Sequence, residues 1–455
     1  MTQLTGDIRV AEVSERWGLG GTEQAIEVRS NLLSRMGFDV TAVGVEGGGP
    51  RLDRLAATGV RTADCAGDWA RFREALRAHR PHIVHYSRGA TVSAFVDRVQ
   101  DEARALSIPI VIETNVFGRA PQGAPPRPPD LVAHMSLASM LRLADAVGVS
   151  MTTLRADNHC VVYLPVPTSH LDGGPRRDAA RAALSLDTDA FVACRVARPD
   201  IRKWSVRLEC ALGDLFAEVP RLRLVLMAAP EEKRRALERR FPGRVICLPP
   251  SSAYSDIARL YAASDFMLHS SGIGESFGLS VAEAMYCALP VVVDSTPAVD
   301  NAQVELVDHE RTGLVVRSCR GFVDASATLA RSQELRRTLG EAGKSKAIER
   351  FSDTVVAAQW ARVYAEHARR AGVACRLDGE ASETVPGPDE YGSFEREYRL
   401  RCSRTLGPEE SLTDRWRCGA LRAVDTLRYA RQVGPRTVAR VVSSRLRAGR
   451  AWHRD

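Results

Sequence analysis

Two glutamates lie in one glycine-rich segment at a spacing that could bring both to a single ligand. Glu275 and Glu283 have seven residues between them in HSSGIGESFGLSVAEAMYCALPVVV (269–293), which has the pattern of a strand, a turn, a helix and a second strand. The residues that open the helix pattern are Ser276, Phe277, Gly278 and Leu279. Free amides at a helix start bind phosphate oxygens, and carboxylates accept hydrogen bonds from sugar hydroxyls. Taken alone, such a pair is more often one solvated and one capping glutamate, because acids are common in a first helical turn.

Two basic residues follow another strand-like run. Arg198 and Lys203 come after AFVACRV (190–196) and stand five residues apart, ahead of a helix pattern. By themselves, an arginine and a lysine at this spacing are usually surface charges.

A glycine pair near the amino terminus is a third candidate for ligand contact. Gly20 and Gly21 lie between a strand pattern at 7–13 and a helix pattern at 21–36. Without a Cβ, such residues allow a phosphate or another substrate to approach the backbone closely. A tight strand-to-helix turn explains the same pair without a ligand.

Short apolar runs alternate with amphipathic helix patterns along the chain, which predicts an α/β fold with parallel sheets. We expect two Rossmann-like doubly wound domains, with the ligand in the cleft between them beyond the carboxyl ends of the strands. The predicted strands are 7–13, 39–45, 82–86, 109–113, 146–150, 160–164, 190–196, 223–227, 244–248, 266–270, 290–294 and 313–316.

Changes in composition predict the domain boundaries. We expect an N-terminal domain at 1–165 and a second domain at 166–372 that ends in a helix over 351–370. Residues 373–390 are acidic and rich in Gly and Pro, as linkers are. Residues 391–455 are arginine-rich. The helical spacing of their apolar residues predicts helices at about 411–432 and 436–448.

Composition excludes several classes of protein. The chain has 455 residues, of which 45% are hydrophobic and 26% charged, as in ordinary globular proteins. It contains no apolar run of 18 residues and begins without the pattern of a secretory signal, so we expect a cytoplasmic protein. Ten scattered cysteines without a C-x-x-C pair predict reduced thiols, not disulfides or zinc.

The positive charge is concentrated at the carboxyl terminus. The chain has a net charge of +7, whereas residues 391–455 alone contain 15 arginines and seven acidic residues. The rest of the chain is nearly neutral, which argues against nucleic-acid binding by the body of the protein.

The segment that contains Glu275 and Glu283 closely resembles the donor-site signature of retaining glycosyltransferase family 4, whose fold is the two-domain GT-B fold. The string SLDTDAFVACRVARPDIRKWS (185–205) is similar to the element of that family that binds the nucleotide diphosphate. The resemblance implies that Arg198 and Lys203 bind the diphosphate, that Glu275 positions the donor sugar, and that Glu283 binds the ribose hydroxyls. GLGGTEQAIEVRSNLLSRMGFDV (18–40) resembles the first glycine loop of the family, which follows the first strand and faces the diphosphate.

The first domain resembles the family's acceptor domain less closely. Ser87 and Arg88 end one predicted strand and are candidates for the acceptor pocket. Thr114 and Asn115 end the next, where many relatives have Thr-His and the His contacts the transferred sugar. Asparagine keeps hydrogen-bonding groups but does not titrate near neutral pH. The loop 294–305 also lacks the usual Gly-Gly turn and Pro-Glu pair, which affects the identity of the donor.

The resemblance implies an enzyme that transfers a sugar from a nucleoside diphosphate sugar to an acceptor hydroxyl with retention of configuration. The acceptor could be a glycan, a lipid or a small molecule. No cofactor or metal is implied, since Arg198, Lys203 and helix amides counter the diphosphate. Asp187 and Asp189 could instead be metal ligands of the other glycosyltransferase fold, but they precede a strand instead of ending one. The alternatives are a GT-B nucleotide-sugar 2-epimerase and a non-catalytic sugar-nucleotide binding protein.

The arginine-rich tail has two interpretations. Its amphipathic pattern with Trp416 could lie on the inner face of an anionic membrane, near lipid-linked acceptors. Alternatively, its narrow apolar stripe packs on the body of the protein or on a second subunit. The second interpretation is favoured slightly, because arginines interrupt the stripe.

Overall fold

A computed structural model of the chain describes residues 2–18, 20–89, 94–120, 128–251, 253–378, 386–406, 415, 416, 418–421 and 423. The strands are β1 Gln3–Gly6, β2 Arg9–Arg16, β3 Asp39–Gly47, β4 Arg61–Asp64, β5 Ile83–Arg88, β6 Ile110–Asn115, β7 Leu131–His134, β8 His159–Val161, β9 Phe191–Val196, β10 Leu222–Met227, β11 Val245–Leu248, β12 Phe266–His269, β13 Gly274–Glu275, β14 Val291–Asp294, β15 Asp300–Asn301, β16 Leu314–Val316 and β17 Cys375–Asp378.

The helices are α1 Gly21–Arg35, α2 Pro50–Ala57, α3 Trp69–His79, α4 Ala94–Ala105, α5 Leu137–Val147, α6 Met151–Ala156, α7 Thr168–Leu171, α8 Arg177–Ala183, α9 Val206–Glu218, α10 Glu231–Arg240, α11 Tyr254–Ala263, α12 Leu279–Tyr286, α13 Gln303–Leu306, α14 Cys319–Arg331, α15 Gln333–Phe351, α16 Asp353–Arg370 and α17 Pro388–Ser403. A short 3₁₀ helix, Ile201–Lys203, precedes α9.

The chain divides into two compact units. Unit 1 contains Met1–Pro167 and Ile348–Glu397, and unit 2 contains Thr168–Ala347 and Tyr398–Asp455. These boundaries differ from the predicted ones, because the helix predicted to close the second domain, α16, packs against α1 of unit 1. Trp360 and Tyr364 of α16 are fully buried there, and this burial holds the helix in unit 1.

Unit 1 is built on a seven-stranded parallel sheet in the order β4-β3-β2-β5-β6-β7-β8. Unit 2 contains a six-stranded parallel sheet in the order β11-β10-β9-β12-β14-β16. Central strands such as LRLVLM in β10 and VVVD in β14 are nearly continuous apolar runs, as expected for parallel strands that are covered on both faces. The prediction of an α/β fold with parallel sheets is therefore confirmed.

The segment predicted as a linker contains regular structure at both of its ends. Residues Cys375–Asp378 form β17, which pairs antiparallel with β1, and α17 begins at Pro388. The Tyr391 hydroxyl of α17 accepts a hydrogen bond from the Val161 amide at 3.1 Å. The acidic composition of this segment therefore did not prevent pairing and packing at its two ends.

One predicted strand is wrong. Residues 146–150 contain the end of α5, which stops at Gly148 in the left-handed conformation. Val147 and Val149 are 46% and 37% exposed, so their apolar character does not reflect a place in the sheet. The strand at this position in the sheet is β7, which lies between β6 and β8.

The helix predicted at 436–448 and most of the helix predicted at 411–432 lie outside the described residues. Within the described part, Cys418 is buried in the apolar core of unit 2 and Leu421 packs against that core, whereas Trp416 is 75% exposed. No helix in the described ranges has the length and apolar character needed to cross a bilayer.

A buried polar network fixes α16 in unit 1. Arg29 donates to Glu12, with its Nε 2.8 Å from Oε1, and the Tyr364 hydroxyl donates to the same Oε1 at 2.8 Å. The Arg29 guanidinium also lies 4.7 Å from the ring centroid of Trp360. Since Glu12 is fully buried, these donors supply the hydrogen bonds that its oxygens would otherwise make to water.

We predict that Tyr364→Phe lowers the free energy of unfolding by about 1–3 kcal/mol, because the buried Glu12 carboxylate loses a donor. Glu366→Gln on the same helix is the control: its ion pair with Arg370 is exposed and should contribute less than about 1 kcal/mol. Urea unfolding followed by circular dichroism measures both. Equal effects of the two substitutions would contradict the prediction.

Candidate functional site

The sheet of unit 2 reverses its strand order between β9 and β12. The chain continues from β9 to β10 and β11 on one side and then returns to β12, β14 and β16 on the other. In open parallel sheets, ligands bind beyond the carboxyl ends of the strands at such a switch point. The predicted donor-site residues follow these strand ends: Arg198 and Lys203 come after β9, and Glu275 comes after β12.

Lys203 reaches Glu275 directly. Its Nζ lies 2.7 Å from Oε2 of Glu275 and 3.2 Å from the carbonyl oxygen of Gly274. The 3₁₀ helix positions it: Asp200 caps the helix by accepting from the Arg202 amide, and the Lys203 amide donates to the Asp200 carbonyl at 2.9 Å. A lysine ammonium has three donors, so one donor is left for an oxygen of a ligand.

Arg198 lies in the loop between β9 and the 3₁₀ helix. Its side chain is exposed, and its carbonyl oxygen accepts from the Asp200 amide at 2.8 Å. The predicted partner cation of Lys203 is therefore on the same short loop and accessible to a ligand. Its contact with a diphosphate stays a prediction.

A second, two-stranded parallel pairing holds Glu275 in place. β13 pairs with β15, with Gly274 opposite Asp300 and Glu275 opposite Asn301. Gly274 has a φ of +70°, and a Cβ there would collide with the Asp300 carbonyl. The loop at 294–305, where the residues depart from the usual family pattern, therefore forms the backbone support of Glu275.

The environment of Glu275 keeps its carboxylate ionised. Burial would raise the pKa of Glu275, but the Lys203 charge and the contact with His269 outweigh it and hold the pKa well below the ordinary value of 4.5. The Nε2 of His269 lies 3.2 Å from Oε1 of Glu275. Because a carboxylate only accepts hydrogen bonds, Nε2 of His269 is the protonated nitrogen in this contact.

Helix α12 begins immediately after this glutamate. Gly278, in the left-handed conformation with φ of +103°, is the N-cap, and no side chain in the described part of the chain caps the helix. Phe277 is buried, which fixes the turn, and Ser276 is half-buried. The predicted opening residues thus form an uncapped helix start at Leu279, which favours negative charge.

Glu283 lies inside the unit instead of at its surface. It is 3% exposed, and its Oε2 accepts a hydrogen bond from the Tyr261 hydroxyl at 3.0 Å. Burial, followed by the charge of Glu283, raises the pKa of Tyr261 well above its ordinary value, so the hydroxyl stays a donor. The structure gives Glu283 this internal partner, and its contact with ribose stays a prediction.

Three buried side chains at the same strand ends have polar atoms without hydrogen-bond partners among the described residues. These atoms are Nε of Arg195, Nδ1 of His269 and Oδ1 of Asp294. The other oxygen of Asp294 accepts from Ser270 at 2.6 Å, and Arg195 donates to the Lys203 carbonyl at 2.7 Å. Buried polar atoms without partners cost stability, and these three lie at or near the ends of the strands that precede Lys203 and Glu275, so this edge is a candidate functional site.

Sequence reasoning missed these three residues, although two signals were available. Arg195 is a charged residue inside an apolar strand run, and His269 and Asp294 each end such a run. Burial lowers the pKa of Arg195 to about 10, only partly offset by Glu275 and Asp294. A buried arginine beside a lysine and a glutamate is not expected from packing alone.

The candidate acceptor residues of unit 1 lie at the ends of two neighbouring strands. The parallel register of β5 and β6 places Ser87 opposite Thr114 and Arg88 opposite Asn115. Arg88 forms a two-point ion pair with Glu113, at 2.7 and 2.8 Å.

Two of these side chains already have hydrogen-bond partners. Oγ1 of Thr114 lies 2.7 Å from Nε2 of His85. The Asn115 side chain donates to the Arg119 carbonyl and accepts from the Arg119 amide. Asn115 therefore fixes a turn in this structure, and its sugar contact stays a prediction.

The glycine pair of unit 1 marks the start of α1. Gly20 is the N-cap and Gly21 is the first helical residue. A Cβ on Gly20 would meet the carboxylate of Glu23, a flexible side chain. Asp187 and Asp189, the rejected metal ligands, form ion pairs with Arg223 and Arg221.

Part of the chain is similar to known proteins. Residues 176–346 match the family model of the group 1 glycosyl transferases. Over 111 residues the chain is 32% identical to N-acetyl-alpha-D-glucosaminyl L-malate synthase of Bacillus anthracis, covering 24% of this chain and 28% of that protein. Over 142 residues it is 36% identical to D-inositol 3-phosphate glycosyltransferase of Mycobacterium bovis, covering 29% and 28%. The matches thus span little more than a quarter of these relatives.

Solved structures show the fold. A glycosyltransferase from Rickettsia africae matches with a TM-score of 0.64 and 16% identity, over 80% of this chain and 99% of that one. Anabaena HepE in complex with UDP-glucose matches with a TM-score of 0.64 and 18% identity, over 79% and 100%. The chain therefore has the GT-B fold of these glycosyltransferases, as predicted.

We predict that Lys203→Met lowers the free energy of unfolding by about 3 kcal/mol at pH 7, because it leaves Glu275 charged and largely buried without its cation. The pKa of Glu275 is depressed, so the pair gives its full stability above pH 4.5 and loses it as the pH falls through the folded pKa. The difference between wild type and variant should therefore begin to shrink as the pH falls below about 4.5 and should continue to shrink below the range where glutamates ordinarily titrate.

The control is Arg202→Met, which removes a partly exposed ion pair with Asp200 and should cost less than about 1 kcal/mol. Urea unfolding at several pH values measures these differences. A Lys203→Met effect that does not change with pH would contradict the assignment of the ion pair.

Proposed function

We propose that this protein is a retaining glycosyltransferase of family 4 that transfers a sugar from a nucleoside diphosphate sugar to an acceptor hydroxyl. The observation that carries the proposal is the Lys203–Glu275 contact, which lies at the switch point of the sheet and directly before an uncapped helix start. A cation, helix amides and a carboxylate are the groups that a diphosphate and a sugar require. The match of residues 176–346 to the group 1 glycosyl transferases supports sugar transfer from a nucleotide sugar.

Each group has one task in the proposed reaction. The third donor of Lys203, the Arg198 guanidinium and the amides around Leu279 bind the diphosphate, and they stabilise the charge it gains as the glycosidic bond breaks. The Glu275 carboxylate, which stays ionised at neutral pH, accepts hydrogen bonds from the sugar hydroxyls and holds the anomeric carbon in place. Glu283 binds ribose.

The transfer proceeds on one face of the sugar. The acceptor hydroxyl attacks from the side that the leaving diphosphate vacates, and a phosphate oxygen takes the proton of that hydroxyl. In this scheme Glu275 accepts hydrogen bonds from the sugar hydroxyls and forms no covalent bond to the sugar. Configuration at the anomeric carbon is therefore retained.

We propose that the reaction needs no metal ion, because Lys203 and Arg198 supply the positive charge for the leaving group. We also propose a uridine diphosphate sugar as the first donor to test, since the structural neighbour HepE is described in complex with UDP-glucose. The acceptor class stays open among glycans, lipids and small molecules.

The experiment is a thermal-shift screen with UDP, GDP, ADP and dTDP, followed by turnover of the corresponding sugar nucleotides. A ligand at 100 times its Kd stabilises the native state by about 2.7 kcal/mol, which shows as a raised Tm. The anomeric configuration of the product is then read by NMR, with and without a chelator. An epimerised sugar formed from donor alone, an inverted product, or loss of turnover with chelator would each contradict a part of the proposal.

We predict that Arg198→Met lowers kcat by about 10²–10³-fold, the usual cost of removing one donor to a developing anion. Because the Arg198 side chain is exposed, the Tm of the variant should equal that of the wild type. Arg202→Met, on the same loop but paired with Asp200, is the matched control and should keep nearly full activity. Turnover is measured by nucleoside diphosphate release; equal activity of both variants would refute the assigned role of Arg198.

A further inference from the structure

Three cysteines that are far apart in the sequence meet inside unit 2. The Sγ of Cys418 lies 3.4 Å from that of Cys210 and 3.6 Å from that of Cys319, and all three sulfurs are within 4.8 Å of one another. Cys210 is in α9, Cys319 is the first residue of α14, and Cys418 is in the short described part of the tail. Cys319 and Cys418 are buried, and Cys210 is half-buried.

These distances suit a shared metal ion better than a covalent bond between two sulfurs. A disulfide requires about 2.05 Å between its sulfurs, so the three residues are thiols here. Thiolates bound to zinc at about 2.3 Å in tetrahedral geometry stand about 3.8 Å apart. The Cys418 sulfur would therefore need to move only by a few tenths of an ångström from each of its neighbours.

The chemistry of the cluster selects the type of ion. Three sulfur ligands prefer soft ions, whereas Mg²⁺ and Ca²⁺ prefer oxygen.

Metal ions bind cysteine as the thiolate, so an ion that binds here displaces the thiol protons.

We propose that Cys210, Cys319 and Cys418 bind one thiophilic metal ion, Zn²⁺ or Cu⁺, through three thiolates. Three sulfur ligands would complete the coordination of Cu⁺, whereas Zn²⁺ would take a fourth ligand from outside this set. The site is structural: it joins the tail to α9 and α14, next to the point where the Leu406 amide donates to the Val315 carbonyl at 2.7 Å. It is independent of the proposed sugar transfer.

The cluster could instead be three small side chains that fill an apolar core, since cysteine packs well in such surroundings. The two explanations differ in one measurable property, the uptake of a soft ion. Neither explanation could be inferred from the sequence, because the Sγ–Sγ contacts of Cys418 join residues 99 and 208 positions apart.

The experiment uses the reduced, metal-free full chain, titrated in one arm with Zn²⁺ and in a second, anaerobic arm with Cu⁺. Native mass spectrometry counts the ions per chain, and Co²⁺ in place of Zn²⁺ reports thiolate ligands through a charge-transfer absorption band. We expect one ion per chain in at least one arm. Loss of an outer partner of a metal ligand weakens binding by about 10–100-fold, so Cys418→Ser, which removes a ligand, should weaken it by at least about 100-fold.

The matched control is Cys247→Ser. Cys247 is a half-buried cysteine of β11 in the same unit, and this variant should keep full metal uptake. Cys210→Ser is the second test variant, because its half-buried site tolerates serine more readily than Cys319 does. The wild-type Co²⁺ spectrum tests the site without any substitution. No uptake of either ion by the reduced wild type, or equal uptake by Cys418→Ser, would overturn the proposal, as would a disulfide in the purified chain whose reduction restores no metal binding.

Discussion

The arrangement of unit 2 depends on how charged groups are kept at the carboxyl edge of an otherwise apolar sheet. The Glu275 carboxylate is desolvated there and remains charged only because Lys203 and His269 contact it. Breaking such a pair is costly, whereas keeping it contributes little net stability. The pair therefore makes sense as the resting state of a binding site, and the unpartnered atoms of Arg195 and Asp294 beside it are consistent with that interpretation.

The sequence was most informative where structure is local. Continuous apolar runs predicted the strands of both sheets, because parallel strands covered on both faces must be apolar along their length. The same rule failed at 146–150, where Val147 and Val149 are exposed at a helix end. It also could not assign α16 to unit 1, since the contacts of Tyr364 with Glu12 join residues 352 positions apart.

Some residues of the candidate site could be predicted from the sequence, and others could not. Residues in short motifs, such as Lys203 and Glu275, could be chosen from their spacing, and the fold brings these two together. Arg195 and Asp294 could not be chosen, because their significance comes from the neighbouring positions of β9, β12 and β14 in the sheet. Glu283 shows the opposite case: the motif identified it, but its buried bond to Tyr261 depends on packing that spacing does not reveal.

Helix α9 connects the two candidate sites of unit 2. Its N-cap, Ser205, is hydrogen bonded to Ser270 at the end of β12, and Ser270 also donates to Asp294 at the end of β14. One turn further on, the same helix carries Cys210. Because a helix is stiff over this length and its first turn is fixed to two strand ends, an ion held at Cys210 would restrain the element that follows Lys203. Any effect of the cysteine cluster on the donor site would therefore act through the position of α9.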